Sequence, residues 1–319
     1  MNPVITAWTA VSPFGLSRES FVAGLLAGVA APVTDGAVHK AAVVPGFDVR
    51  ELLGRKGTRS MDRLTGLAVW AVGGLTGDRP ASRGDRTGLV LGTMGSLQST
   101  MDFTRPSFVE AKPYFVDPGQ MPNSIMNAAA GRCAIRHDLT GPNVTLAGGR
   151  VAGLSALAYA VRLLRTGRAS SVLTGAVEEY SDARSWIEAH SGVDGVLGEG
   201  CVMLRVEPAG PRPALAEVLA VRSRIARPDE VEAARESLMD SVLAEAGVAS
   251  EDVGFVSWSG VAGHPDPLAE LIGDTGAATA MFQVAEVLAA GEPGEPVIVG
   301  SVDRDGAVAC ALLRLGSAR

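Results

Sequence analysis

Residues 141–153 read GPNVTLAGGRVAG, and the organisation of the chain is clearest when followed outward from this stretch. Val144–Leu146 has the β-branched character of a short strand, which runs into two glycines. Apolar residues then recur at helical spacing: Leu154, Leu157, Ala158, Val161 and Leu164. Gly167 ends this helix, and Ser171–Thr174 reads as a second strand. A strand, a helix and a strand in this order predict parallel pairing through a right-handed crossover.

Strands and helices alternate along the remainder of the chain as well. Further strands are predicted at Pro3–Ala7, Thr87–Leu91, Val202–Val206, Val253–Ser257 and Pro296–Val299, and helices at Ser20–Ala27, Met61–Val72, Glu230–Ala246 and Ala277–Ala290. This alternation is typical of an α/β protein. Three prolines and a glycine interrupt it, so we predict an N-terminal part (1–207), a linker (208–213) and a C-terminal part (214–319).

The composition of the chain limits which partners and which cellular compartment we expect. The net charge of −7 argues against a nucleic-acid partner, which usually requires a basic face. The three cysteines and four histidines are dispersed, so we expect no metal, no disulfide framework and a cytoplasmic, reducing environment. No basic residue precedes Arg18 and no apolar run approaches membrane-spanning length, which argues against a secretory signal and a membrane. Buried strands, or a large subunit interface, would explain the 47% hydrophobic content.

Several segments resemble motifs of the β-ketoacyl synthases, in the order that the family has them. They are AVSPFG at 10–15, RSMDR at 59–63, GLVLGTMG at 88–95, PNSIMN at 122–127 and LGEG at 197–200. Residues 141–153 resemble the turn that carries the family's nucleophile, written roughly G-P-x-x-T-V-S-T-A-C-A-S-G. The resemblance implies a thiolase-like, five-layer α-β-α-β-α fold with two pseudo-equivalent halves. The second half is shortened, because a long family segment is missing before Gly273.

All three catalytic positions of the family differ in this chain. The cysteine, which carries the acyl chain as a thioester, falls on Arg150, and a guanidinium stays protonated and cannot accept an acyl group. The histidine of the family's H-G-T-G-T motif falls on Ser259, and that of its K-x-x-x-G-H motif falls on Asp274. The G-F-G-G turn of the family reads DRDG at residues 303–306. The resemblance therefore implies that the chain has no catalytic residue of its own.

Two groups of residues allow alternative interpretations. Arg150 is either a plug or interface contact, or a functional charge that stabilises a carboxylate or thioester oxygen. In either case burial requires an acid or a carbonyl beside it. Aromatic and soft apolar residues precede the nucleophile turn: Phe103, Phe108, Tyr114, Phe115 and Met126. They are either ordinary core or, as the resemblance implies, candidates for lining a dimer interface or an acyl tunnel.

With its catalytic positions altered in this way, the chain resembles the chain-length factor (ketosynthase β subunit) of type II polyketide synthases. This implies a subunit without activity of its own, which pairs with an active ketosynthase as a heterodimer and shapes the tunnel that sets polyketide chain length. An acyl carrier protein would deliver its phosphopantetheine-bound acyl chain mainly to the partner, and no cofactor is expected.

Two alternatives stay open. One is an acyltransferase or hydrolase that keeps the fold and uses Ser259 or Asp274, although the chain has no G-x-S-x-G motif. The other is a stand-alone acyl-binding homodimer. His264 is either a displaced base or, as its proline-flanked position favours, a solvated loop residue.

Overall fold

The computed structural model describes residues 2–77, 86–210, 212–261, 263 and 266–317. Eleven strands lie in this part of the chain: β1 Pro3–Val11, β2 Ala41–Ala42, β3 Thr87–Gly92, β4 Asn143–Leu146, β5 Ser171–Glu178, β6 Leu197–Gly198, β7 Gly200–Pro208, β8 Ala216–Ile225, β9 Phe255–Ser259, β10 Pro296–Val302 and β11 Ala307–Leu315. It also contains twelve α-helices: α1 Arg18–Ala27, α2 Val49–Leu53, α3 Arg63–Thr76, α4 Leu97–Thr104, α5 Pro106–Val109, α6 Met121–Ser124, α7 Ala128–Arg136, α8 Ala152–Arg165, α9 Asp182–His190, α10 Val231–Ala246, α11 Pro267–Ile272 and α12 Thr279–Ala290.

The β-α-β unit predicted around residues 141–153 is confirmed. It consists of β4, α8 and β5, and both strands pair in parallel with β3, which lies between them. The apolar face of α8 is buried over its whole length, from Leu154 to Leu164. The helix therefore lies inside the molecule, and the turn before it is held between packed elements.

Nine strands form one sheet that consists of two related halves. Their order is β4-β3-β5-β7-β1-β8-β11-β10-β9, and β1 and β8 are joined by a short pairing of Val4 and Ile5 with Glu217 and Ala216. Outward from this junction, each half shows two antiparallel pairings followed by a parallel one. In the described residues β4 has no counterpart beyond β9. The halves are thus pseudo-equivalent, and the second is the shorter one.

Helices lie outside and between the two halves of the sheet. On the first half, α3 packs against β1, β5 and β7, and α7 packs on α3; on the second half, α10 packs against β8 and β11. Between the halves, α8 contacts β3, β5, β8 and β11, and α12 contacts β1, β7, β9 and β10. Three buried apolar clusters fill the spaces between these layers. This is the expected five-layer α-β-α-β-α arrangement.

Some boundaries differ from the sequence predictions. The apolar patterns of the sequence did not predict the strands β8 and β11, which lie inside the second half of the sheet. Pro208 belongs to the end of β7, where a missing N–H breaks little pairing. The predicted linker, residues 208–213, falls between β7 and β8, with Pro211 outside the described residues, and the division into two parts stays a prediction. All three cysteines are buried and free. No helix in the described part of the chain has both the length and the apolar character needed to cross a membrane.

Candidate functional site

The turn between β4 and α8 holds Arg150 in a partly buried position. Gly149–Val151 forms a single 3₁₀ turn that leads directly into α8. Gly149 has a φ of 59°, in the left-handed region that favours glycine. A side chain at this position would also collide with the carboxylate of Asp303, since an added Cβ would lie 1.9 Å from its Oδ2. The glycine therefore allows the Asp303 carboxylate to approach the turn.

Arg150 forms a two-pronged ion pair with Asp274. Its Nη1 donates to Oδ1 of Asp274 at 2.9 Å, and its Nη2 contacts Oδ2. Only 23% of the Arg150 side chain and 14% of the Asp274 side chain are exposed. Burial alone would lower the pKa of Arg150, but the Asp274 carboxylate outweighs burial and raises it. Asp274 is thus the acidic partner that burial of this arginine requires.

Asp274 is itself fixed by the surrounding backbone. Its N–H donates to the Val196 carbonyl at 2.8 Å, and its own carbonyl accepts from Gly198 N–H and from Nη2 of Arg184, both at 2.8 Å. Its Oδ1 also accepts from Gly276 N–H at 2.8 Å. Burial alone would raise the pKa of Asp274, but the Arg150 charge, followed by that of Arg184, lowers it. The carboxylate is therefore charged and already engaged, which makes it a poor general base.

The backbone N–H of Arg150 is occupied by a second carboxylate. It donates to Oδ2 of Asp303 at 2.8 Å, while Oδ1 of Asp303 accepts from Asp305 N–H at 3.1 Å. A backbone N–H at a nucleophile position is a typical donor to the oxygen of a reacting acyl group. Here that donor is already satisfied within the chain. The sequence marked residues 303–306 as a departure from the family but did not indicate this contact, which depends on tertiary structure.

Ser259 lies close to Arg150 but is closed off from it. Its side chain is fully buried at the end of β9, and its Oγ donates to Oγ of Ser301 at 3.0 Å. The next residue, Gly260, packs against the arginine stem, since a Cβ added there would lie 3.0 Å from Cδ of Arg150. The three altered positions are therefore neighbours, and the structure brings Arg150 and Asp274 into direct contact. His264 lies outside the described residues.

A cavity of about 170 Å³ lies beside this cluster and is lined in part by Glu178, which sequence reasoning missed. Glu178 ends β5 and is 1% exposed. Its Oε2 accepts a long hydrogen bond of 3.4 Å from Ala277 N–H, and its Oε1 has no partner among the described residues. Burial raises the pKa of Glu178 to about 7. Its position at the carboxyl end of a central strand was the only available signal.

Two further buried carboxylates, those of Glu179 and Glu199, form structural hydrogen bonds and an ion pair. Glu179 accepts from Leu64 N–H at 2.9 Å and from Oγ of Ser96 at 2.7 Å, and burial raises its pKa to about 8. Glu199, of the LGEG segment, is fully buried and accepts from Nε of Arg63 at 2.8 Å. Arg63 ends the RSMDR segment, so these two motifs meet in space as a structural ion pair.

The aromatic candidates before the nucleophile turn are not core residues. Phe108 is 84% exposed, Tyr114, Phe115 and Met126 are also exposed, and Phe103 is half-buried. Of the eighteen exposed large apolar side chains in the described residues, eight fall within residues 101–126. We call these eight the 101–126 apolar surface: Met101, Phe108, Val109, Tyr114, Phe115, Met121, Ile125 and Met126. It adjoins α7, which packs on β4 at the free edge of the sheet.

Comparison with known proteins identifies the family. The model of the β-ketoacyl synthase N-terminal domain matches residues 2–209, which is more than half of the chain. The chain belongs to the β-ketoacyl synthase family. Its thiolase-like fold is that of a ketosynthase. The assignment of Arg150, Ser259 and Asp274 to the family's catalytic positions stays a prediction from the sequence.

Three known proteins show different degrees of similarity to this ketosynthase-like chain. The structure of the ishigamide ketosynthase/chain length factor shares 42% identity over 99% of this chain and 100% of that chain, with a TM-score of 0.90. A type II polyketide synthase acyl-carrier protein in complex with its ketosynthase gives 16% identity and a TM-score of 0.80, over 98% and 99% of the two chains, which shows the fold alone. The 3-oxoacyl-[acyl-carrier-protein] synthase 2 of Vibrio cholerae is 26% identical over 85% of this chain and 75% of its own length.

Proposed function

We propose that this chain is a non-catalytic ketosynthase-like subunit of a type II polyketide synthase. In this proposal it pairs with an active ketosynthase and shapes the acyl tunnel that sets the length of the product. An acyl carrier protein delivers the chain mainly to the partner. The strong structural similarity to a ketosynthase/chain length factor supports this choice among the possible roles of a ketosynthase-like protein.

The observation that carries the proposal is the state of the nucleophile turn. A charged arginine replaces the thiol, an aspartate replaces a histidine and pairs with that arginine, and Asp303 occupies the N–H of the turn. These groups satisfy one another, so none is left to attack a thioester or to bind its oxygen. The turn at which an acyl group would react is therefore occupied by the chain's own charges, and the cavity of about 170 Å³ lies beside it.

The exposed surface supports the pairing. Monomeric proteins rarely expose large contiguous apolar patches, and such patches usually mark interaction sites. Here the 101–126 apolar surface adjoins the free edge of β4, whose residues are only partly buried. Within the part of the chain that the structure describes, β4 pairs on one side only. Such a strand edge beside exposed aromatic side chains is a surface that a partner subunit can cover. A ketosynthase is the partner that the similarity suggests.

Assays of the chain with and without its ketosynthase test the proposal. We expect the purified chain to show neither condensation nor decarboxylation of a malonyl-carrier substrate, and to express poorly without the ketosynthase. Mass spectrometry of the carrier-bound products measures both activities. As a control, the co-expressed complex should be active and should lose activity when the cysteine of the ketosynthase is replaced. Robust decarboxylation by the pure chain alone would refute a non-catalytic role.

The alternative enzyme is tested by a variant in the assembled complex. Ser259→Ala removes the hydroxyl that a changed chemistry would use, and its small side chain fits the buried site. The proposal predicts unchanged turnover for the complex. Loss of turnover without loss of assembly would instead favour an acyltransferase or hydrolase. A stable homodimer that does not bind a ketosynthase would favour the stand-alone acyl-binding protein.

A further inference from the structure

A second cavity lies at the end of α8 that is opposite to Arg150, in the space between this helix and β8. Its volume is about 300 Å³. Its floor is apolar and includes Ala158, Val161 and Val221. Three arginines line the same cavity: Arg162, Arg165 and Arg222. The cavity thus combines an apolar floor with several positive charges, in a chain whose net charge is −7.

Two of these arginines have little to bind within the chain. Arg162 is exposed, and its guanidinium makes no hydrogen bond or ion pair with any described residue. Arg165 donates only a long hydrogen bond of 3.4 Å, to Oδ1 of Asn2. Arg222 differs, because it forms an ion pair of 2.6 Å with Glu245. The guanidinium groups of Arg162 and Arg165, three residues apart on one helical face, are therefore available to an external anion.

The arginines are not needed to cap the helix. The Arg162 carbonyl accepts from the N–H and the Oγ1 of Thr166, at 3.0 and 2.8 Å. The Leu164 carbonyl accepts from Gly167 N–H at 3.0 Å, and the Leu163 carbonyl accepts from Arg168 N–H at 2.9 Å. The last carbonyls of α8 are therefore bonded to the following residues and not to guanidinium groups. Favourable interaction with the helix dipole remains, but it requires neither the cavity nor its apolar floor.

We infer that this cavity binds a small organic phosphate. The planar guanidinium fork matches phosphate oxygens, and two such groups can neutralise a phosphate dianion. The apolar floor would hold the non-phosphate part of the ligand, as in most small-molecule sites. The carboxyl end of the helix carries a partial charge of about −0.5, which the two full positive charges outweigh. A concave site of this size suits a small molecule better than the extended acidic face of a protein.

Titration calorimetry with phenyl phosphate tests the inference, using the full chain or its complex with the ketosynthase. We expect Arg162→Ala and Arg165→Ala each to weaken binding about tenfold or more, because each removes a charge-assisted hydrogen-bond pair. Inorganic phosphate should bind more weakly than phenyl phosphate, since it has no apolar part. Arg224→Ala is the matched control: this exposed arginine donates to Ser237 outside the cavity, and its loss should leave binding unchanged.

Each outcome either supports or overturns the phosphate site. Alanine is the best helix former, so Arg162→Ala should retain the fold, and its thermal unfolding curve verifies this. Equal affinity of wild-type chain and Arg162→Ala for phenyl phosphate would overturn the site, as would the absence of any binding by the folded wild-type chain. Binding of polyglutamate that depends on Arg162, without binding of phenyl phosphate, would overturn it in favour of an acidic protein partner.

Discussion

Arg150 stands at the position that the sequence predicts for the family's cysteine, and two carboxylates hold it there. Asp274 pairs with the guanidinium, and Asp303 accepts from the backbone N–H. Because these contacts depend on one another, reversal of a single position does not restore a ketosynthase site. A cysteine at position 150 would leave Asp274 buried without its partner and the turn N–H still occupied. The losses are therefore best understood as one coupled change.

Removal of one partner of this pair should be costly. We expect Arg150→Ala or Asp274→Ala to lower the free energy of unfolding by about 2–4 kcal/mol, because each leaves a largely buried charge without its ion-pair partner. The double variant should lose less than the sum of the two, with a coupling energy of about 1–3 kcal/mol. Urea unfolding of the four proteins measures this cycle.

The exposed Arg212–Glu207 pair provides the control for that cycle. Arg212 is largely exposed, so Arg212→Ala should cost at most about 1 kcal/mol. Additive losses at Arg150 and Asp274 would contradict the coupling and would indicate that the two side chains contribute to stability independently.

At the scale of elements, the short helices between β3 and α7 carry an exposed apolar surface of a kind that monomeric proteins rarely show. The helices α4, α5 and α6 lie within residues 97–124, and the 101–126 apolar surface faces outward from this part of the chain. Its aromatic side chains cannot contribute to the core of this chain. They can instead line a shared tunnel or a partner interface once a second subunit covers them.

Large-to-small changes on these elements should alter the product of the complex. We expect Phe108→Ala and Phe115→Ala, and the half-buried Phe103→Ala, to lengthen the polyketide by one or more extension units, because under the proposed function each removes a side chain that limits the tunnel. Mass spectrometry of the products made by the intact complex measures the length.

Ile225→Ala serves as the control, because Ile225 is equally exposed but lies on β8 in the other half of the molecule. It should leave the product unchanged. An unchanged product spectrum across all three phenylalanine variants would count against a tunnel role for these residues.

At the scale of the whole molecule, stability should depend on pH through two buried carboxyl groups. Burial raises the pKa of Glu178 from its ordinary value of 4.5 to about 7, and that of Glu179 to about 8. Below pH 4.5 both groups are protonated in the folded and the unfolded chain. Above pH 4.5 the unfolded chain releases these two protons while the folded chain still holds them. The free energy of unfolding therefore decreases as the pH rises toward 8.

Glu178→Gln should remove part of this dependence. The amide keeps the shape of the protonated carboxyl but cannot ionise, so we expect the unfolding midpoint of this variant to fall less between pH 5 and 8 than that of the wild-type chain. Thermal unfolding across that range measures the difference. Parallel curves for the two proteins would show that Glu178 does not titrate in this window.

Much of the fold was predictable because it follows from local patterns. The helical spacing of apolar residues in α8 and the strands on either side of it predicted the parallel crossover, and the order of the motifs predicted the layered fold. The strands β8 and β11 were not predicted, because their alanine-containing runs have no clear apolar period. Whether they are strands depends on the helices and strands that pack against them.

The sequence alone predicted which catalytic positions of the family are altered, because identity at a motif position is local information. It also required that Arg150 have a partner, since a buried guanidinium cannot remain alone. Only the tertiary structure decided that this partner is Asp274, that Asp303 occupies the turn N–H and that Ser259 is closed off. It likewise decided that residues 101–126 face outward. These contacts join residues far apart in the chain, and only the packing of the two halves brings them together.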